Sequence, residues 1–213
     1  MTALYLYGHL AADSDQAYEE LGRHLAENDG FLKNGGLRSL KDLAKLKNLR
    51  ILRIALEDIS DLSPLKELPA LEMIDLRHNP VEDLSPLAAL PLLRDLSLFG
   101  TRVSDLSALS NCVLLEKVDA GKTLISSMGA FAGIKNLKYL SISEAPLKTL
   151  AGLEEFGSLT EIRLSGAADG DLTPLLALAQ LKKVYLDEAL RQEAAADLKE
   201  ARFLVIFPEE GSS

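Results

Sequence analysis

Apolar residues return along most of this chain at a step of 22. Leu46, Leu68, Leu90, Cys112, Ile134, Phe156 and Leu178 form one column, and Leu49, Leu71, Leu93, Leu115, Leu137, Leu159 and Leu181 follow three residues behind. A pair spaced by two comes next: Leu52/Ile54, Ile74/Leu76, Leu96/Leu98, Val118/Ala120, Leu140/Ile142, Ile162/Leu164 and Val184/Leu186. Spacing by two places both members of a pair on one face of an extended segment. The pattern predicts seven units, each with one short strand, from residue 46 to about 186. Leu37, Leu40 and Leu43 fit the second half of a preceding unit.

A polar word travels with the leucines. Asp61-Leu-Ser-Pro-Leu65 returns as Asp83-Leu-Ser-Pro-Leu87, as Asp105-Leu-Ser-Ala-Leu109 and, three steps later, as Asp171-Leu-Thr-Pro-Leu175. The intervening registers, Ser127 to Phe131 and Thr149 to Leu153, keep the apolar pattern and lose the polar word. Proline at 64, 86 and 174 suits short 3₁₀ turns. The recurring aspartates could suggest calcium, but they are better read as caps that accept backbone N–H bonds at those turns. A single unit buries too little apolar surface to offset the entropy of ordering it, so the units must fold as a stack.

The ends differ from the middle. Residues 1–36 are expected to cap the stack, with a strand in which Leu4 and Leu6 face one way and Tyr5 and Tyr7 the other. A helix is expected from about Ser14 to Asn28, with Asp13 and Gln16 as a capping box, Ala17, Tyr18, Leu21 and Leu25 as its apolar stripe, and Gly30 as its stop. At the other end, Glu188 to Ala201 favours an α-helix, with Leu190, Ala194, Leu198 and Ala201 on one face. Phe203 to Phe207 reads as a last strand. If Leu204 and Ile206 point inward, Phe203, Val205 and Phe207 face outward and offer an edge through which two chains could pair.

The unit running from Leu68 to Ala89, with Asn79, Val81 and Asp83 in place, resembles the leucine-rich-repeat family. The 22-residue step and the Asp-Leu-Ser-Pro-Leu word are similar to the bacterial internalin-type repeats and to the phosphatase-regulator-like repeats related to them. The resemblance implies an α/β fold: a right-handed solenoid, or horseshoe, with a concave parallel sheet and convex 3₁₀ turns. A strand and helix would cap its N-terminus (1–36), the repeats would span 37–197, and a helix leading into a strand and tail (198–213) would close the other end. The family's asparagine ladder is poorly kept. Its position reads Glu57, Asn79, Thr101, Thr123, Ala145, Ala167 and Ala189, so looser turns or bound water are expected after residue 120. The cap also departs from the all-helical cap of secreted internalins.

Composition narrows function mainly by exclusion. The 213 residues carry a net charge of −9, which disfavours broad nucleic-acid binding and adsorption to anionic membranes. The single cysteine, Cys112, precludes an intrachain disulfide and occupies a core leucine position. The apolar start is short and lacks a basic flank, so it reads as a strand and not a signal peptide, and a cytoplasmic protein is expected. His9, His24 and His78 share no metal-ligand spacing, and no metal or cofactor is expected. No nucleophile elbow or phosphate-binding glycine loop is present, and the chain is expected not to be an enzyme.

If Ile74 and Leu76 face the core, Met73, Asp75 and Arg77 face the concave surface. The same offset selects Arg53, Phe99, Lys117, Tyr139, Glu161, Arg163 and Tyr185 among the outward residues. Arginine and aromatic side chains are enriched at interface hot spots. The resemblance implies that such a face binds a protein partner, as an adaptor, regulator or inhibitor. The alternative is a self-assembling structural protein that forms a homodimer through the Phe203–Phe207 edge.

Overall fold

The computed structural model describes residues 2–7, 10–11, 14–20, 36–165, 167 and 169–207. The expectations placed on Asp13, Leu21, Leu25, Asn28, Gly30, His9, His24 and the tail after Phe207 lie outside those residues.

Among the described residues, one sheet holds strands β1 (Ala3–Tyr7), β2 (Leu10–Ala11), β3 (Ile51–Ala55), β4 (Met73–Asp75), β5 (Asp95–Ser97), β6 (Lys117–Asp119), β7 (Tyr139–Ser141), β8 (Glu161–Leu164), β9 (Lys183–Leu186) and β10 (Leu204–Ile206). Its spatial order is β10-β9-β8-β7-β6-β5-β4-β3-β1-β2. All neighbours run parallel except β2, which folds back antiparallel on β1. The pairing keeps the sequence register: Leu52 lies beside Ile74, Ile74 beside Leu96, Leu96 beside Val118, and Val118 beside Leu140. These residues are fully buried in one continuous core. Opposite the sheet, 3₁₀ turns run at Lys41–Lys45, Ser63–Glu67, Ser85–Ala89, Ser107–Asn111, Met128–Phe131, Leu153–Glu155 and Thr173–Ala177.

The aspartate word works as its chemistry dictates. The Oδ1 atoms of Asp61, Asp83 and Asp105 accept the N–H of Ser63, Ser85 and Ser107 at 2.8 Å, and Asp171 accepts that of Thr173 at 2.9 Å. Where the word is lost, Phe131 and Phe156 fill the interior as an edge-to-face pair 6.2 Å apart. Cys112 is a buried core residue, and burial pushes its thiol pKa up.

The degraded asparagine column still satisfies buried backbone. Asn79 accepts the Ile59 N–H and donates to the carbonyls of Ile54, Leu76 and Arg77. Glu57 accepts the Leu37 N–H at 2.9 Å, and the Thr101 and Thr123 hydroxyls donate to Leu98 and Ala120 at 2.7 Å. Past 120 the backbone turn persists, with Ala145 N–H to Ile142 O at 3.4 Å against 3.0 Å at Thr101. One residue before this column, each coil from β3 to β7 adopts positive φ, at Leu56, His78, Gly100, Lys122 and Glu144.

The ends bring three differences. First, β1 is itself the strand of the first coil: it pairs in parallel with β3, and Lys41–Lys45 is the turn of that coil. Second, the C-terminal helix is shorter than expected. Glu188–Leu190 is a 3₁₀ turn, the α-helix spans only Arg191–Asp197, and the expected inward face of Leu190, Ala194 and Leu198 is buried. Third, the outward side of the last strand is reversed. Val205 pairs with buried Val184, and Phe203, Val205 and Phe207 pack on the core. Leu204 and Ile206 extend the outward rows, with Leu204 59% exposed.

Candidate functional site

The alternation of β-strand side chains makes the concave face. With Ile74 and Leu76 buried, the outward rows carry Met73, Asp75 and Arg77, and the same offset repeats along the sheet. All ten expected residues lie on this face, but they divide into two groups.

Arg53, Met73, Asp75 and Arg77 belong to a clamp closed from within the chain, with the Arg53 guanidinium 3.1 Å from the Met73 sulfur. Residues 15–20 form helix α1, which starts where the Ser14 hydroxyl accepts the Ala17 N–H. The helix lies over β1, β3 and β4. Tyr18 is fully buried in a small cluster with Ala55 and Leu56, against which Tyr5 packs, separate from the main core. Its ring lies 5.5 Å from the Arg53 guanidinium and 5.6 Å from that of Arg77. Its hydroxyl donates to Asp75 Oδ2 at 3.2 Å. Asp15 pairs with Arg53 at 3.1 Å, and Glu19 pairs with both arginines, at 3.7 Å from Arg77. Desolvation, with Asp75 alongside, raises the Tyr18 pKa and keeps the phenol neutral. Burial is the largest single influence on Arg77 and works against its charge, but hydrogen bonds to Asp75 together with the charges of Asp75, Tyr18 and Glu19 outweigh it and raise the pKa. Each cation–ring contact contributes about 0.5–2 kcal/mol. The expectation that alternate strand residues face solvent therefore fails here: Asp75 is 4% exposed, and the Arg53 side chain is 13% exposed. The alternation places these side chains on the outward face, and the tyrosine that covers them comes from a distant stretch of chain.

The second group lies in an open trough between α1 and β10. Phe99, Lys117, Tyr139, Arg163 and Tyr185 line it, with Asp95, Asp119 and Asp187 among them, while Glu161 stands beside Tyr139 on the same sheet face without lining a hollow. Lys117 pairs with Asp95 at 3.3 Å and reaches over the Tyr139 ring at 5.5 Å. Arg163 stacks over Tyr185 at 5.0 Å. Desolvation raises the Asp95 pKa against the pull of Lys117, and burial raises that of Tyr139. Gly121 leaves room for the Phe99 ring; a Cβ there would meet its Cδ2 at 2.8 Å. At the β10 end, Tyr185, Ile206 and Phe207 form a largely apolar hollow of about 260 Å³ beside Arg163. Ile206 is the addition that sequence reasoning missed, because its outward direction depends on the register of β10 with β9.

Among the described residues no group of histidines, cysteines and carboxylates could hold a metal, and no helix is long and apolar enough to cross a membrane. Residues 47–89 and 69–111 match the family model of leucine-rich repeats in two copies. The chain is similar to the crystal structure of internalin C2 from Listeria monocytogenes, at 26% identity and a TM-score of 0.66, covering 83% of this chain and 79% of that one. The matched segments are leucine-rich repeats, and the solenoid is similar to the internalin type. A second Listeria monocytogenes internalin aligns at 20% identity and a TM-score of 0.54, over 84% of this chain and 67% of its own. A leucine-rich-repeat protein of Leptospira interrogans aligns at 17% and 0.60, over 83% and 53%. Those two likenesses concern the fold alone. No curated protein matches the sequence. The leucine-rich-repeat solenoid is a typical scaffold for protein interaction.

Proposed function

We propose that this leucine-rich-repeat chain is a non-catalytic module that binds a protein partner in the trough between α1 and β10. The observation that carries the reading is the trough itself: an open sheet face on which aromatic rings stand beside cations, at Lys117/Tyr139 and Arg163/Tyr185. Half-buried aromatics lose little conformational freedom on binding, and arginine offers planar donors to a partner's carboxylates and carbonyls. The mixture of charges favours a folded protein surface or peptide over a polyanion.

The test is capture from a lysate of the source organism by the immobilised chain, with bound proteins identified by mass spectrometry. The double substitution Lys117→Glu/Arg163→Glu is expected to abolish capture of a partner held by the wild-type chain and to leave the chain folded, read as an unchanged far-ultraviolet circular dichroism spectrum, because both side chains are exposed. Retained capture would move the site off the trough.

A second reading is supported by the exposed Leu204 on the edge strand β10: two copies pair there as a homodimer. Equilibrium sedimentation at tens of micromolar separates the two. A monomer mass removes the homodimer, and a dimer that Leu204→Lys dissociates supports it.

A further inference from the structure

One end of the concave face already holds a protein segment, and that segment belongs to this chain. Helix α1 is not part of the solenoid's interior: Tyr18 lies outside the main core, on the outward side of strands whose inward residues are packed without it. Among the described residues its hold on the sheet includes one buried ring and two flanking carboxylates, while Asp15, Gln16, Glu19 and Glu20 remain exposed. The contacts have a definite chemistry. A tyrosine ring lies against the guanidiniums of Arg53 and Arg77, its hydroxyl meets Asp75, and the carboxylates of Asp15 and Glu19 pair with the same arginines. The clamp is also continuous with the trough, since Glu19, Met73 and Asp75 line the same hollow as Lys117 and Tyr139.

We propose that the Arg53–Arg77 clamp is a recognition site for an aromatic side chain flanked by carboxylates on a partner protein, with α1 as its resident competitor. This rests on the trough being the partner-binding surface, and it names the chemistry of the partner's end that lies nearest α1. Because α1 is tethered, it competes at an effective concentration in the millimolar range. A partner gains the clamp only when it is also held further along the trough, so contacts at Lys117 and Arg163 and opening of the clamp are coupled. Displacing α1 leaves two guanidiniums and Asp75 exposed together, a ready-made match for an incoming ring and its acids.

The test uses the full chain, labelled with nitrogen-15, and a synthetic peptide with the sequence of residues 12–24. Tyr18→Ala empties the clamp. The Nε–Hε signals of Arg53 and Arg77 should then move on peptide addition, with an apparent affinity at least ten-fold tighter than in the wild-type chain. The peptide with alanine in place of its tyrosine should move neither signal. Glu19→Lys, at an exposed side chain, opens the clamp by repulsion and serves if Tyr18→Ala does not fold. Arginine signals that stay still in both variants overturn the proposal, as do signals that move equally in the wild-type chain. The outcome is separable from that of the trough: loss of capture on Lys117→Glu/Arg163→Glu together with a silent clamp would sink this inference alone.

Discussion

Asn79 illustrates how much one polar side chain does inside this stack. It joins two coils by accepting the buried Ile59 N–H and donating to the Ile54 carbonyl. Asn79→Ala orphans both groups and should cost about 2–4 kcal/mol in urea denaturation. Thr101→Ala, which removes one bond within a coil, should cost about 1 kcal/mol. His78, its neighbour, gives the fold a pH dependence. Burial lowers its pKa, helped by Arg77 and Lys122. The unfolded imidazole therefore takes a proton that the folded one resists, and stability falls as pH drops below about 6.5. His78→Asn, which tolerates the positive φ, should flatten stability between pH 7 and 5. The aspartate caps act at lower pH. Hydrogen bonds from the Ser63 side chain and backbone hold Asp61 below the usual carboxylate range. The Ser107 backbone and side chain do the same for Asp105, and the Thr173 side chain and backbone for Asp171. Their contribution is present above a pH of about 3.9 and lost as pH falls further.

At the level of the coil, a charge column sets neighbours against each other. Arg50, Glu72, Arg94, Glu116 and Lys138 stand one step apart at the start of successive strands. Arg50 holds Glu72 through two bonds of 2.8 Å, Arg94 approaches Glu116 at 4.0 Å, and Lys138 reaches Glu116 at 2.8 Å. Each exposed pair contributes little. Reversing one sign turns two attractions into two repulsions. Glu72→Lys should lower the melting temperature at low salt, with the deficit shrinking at 0.5 M sodium chloride. This column is visible in the sequence once the register is known, as are the strands, the aspartate caps and the buried columns. The N-terminal strand shows how far pattern reading goes. Leu4 and Leu6 announce an inward face, but nothing local says that β1 supplies the strand of a coil whose turn begins at Lys41. That is long-range pairing, and period alone does not encode it.

For the whole molecule, the 22-residue period marks out the concave face, but its accessible part depends on the two ends. The outward rows follow from the strand alternation, so all ten candidate residues are found on one surface. Which of them remain accessible is decided by Tyr18, some 35 residues before Arg53, and by the register of β10 on β9. A helical stripe containing Tyr18 is legible in the sequence; the docking of that stripe on Arg53 and Arg77 depends on the path of the chain. The binding surface exists only because coils a full period apart share one hydrogen-bond ladder. Through-hydrogen-bond scalar couplings in a long-range HNCO spectrum read that ladder directly. Correlations should join the amide nitrogens of Leu76, Leu98 and Ala120 to the carbonyl carbons of Ser97, Asp119 and Ser141, across bonds of 2.7–2.9 Å. Correlations from these amides to carbonyls four residues earlier would mean helices in place of coils, and would dismantle the ladder and the trough together.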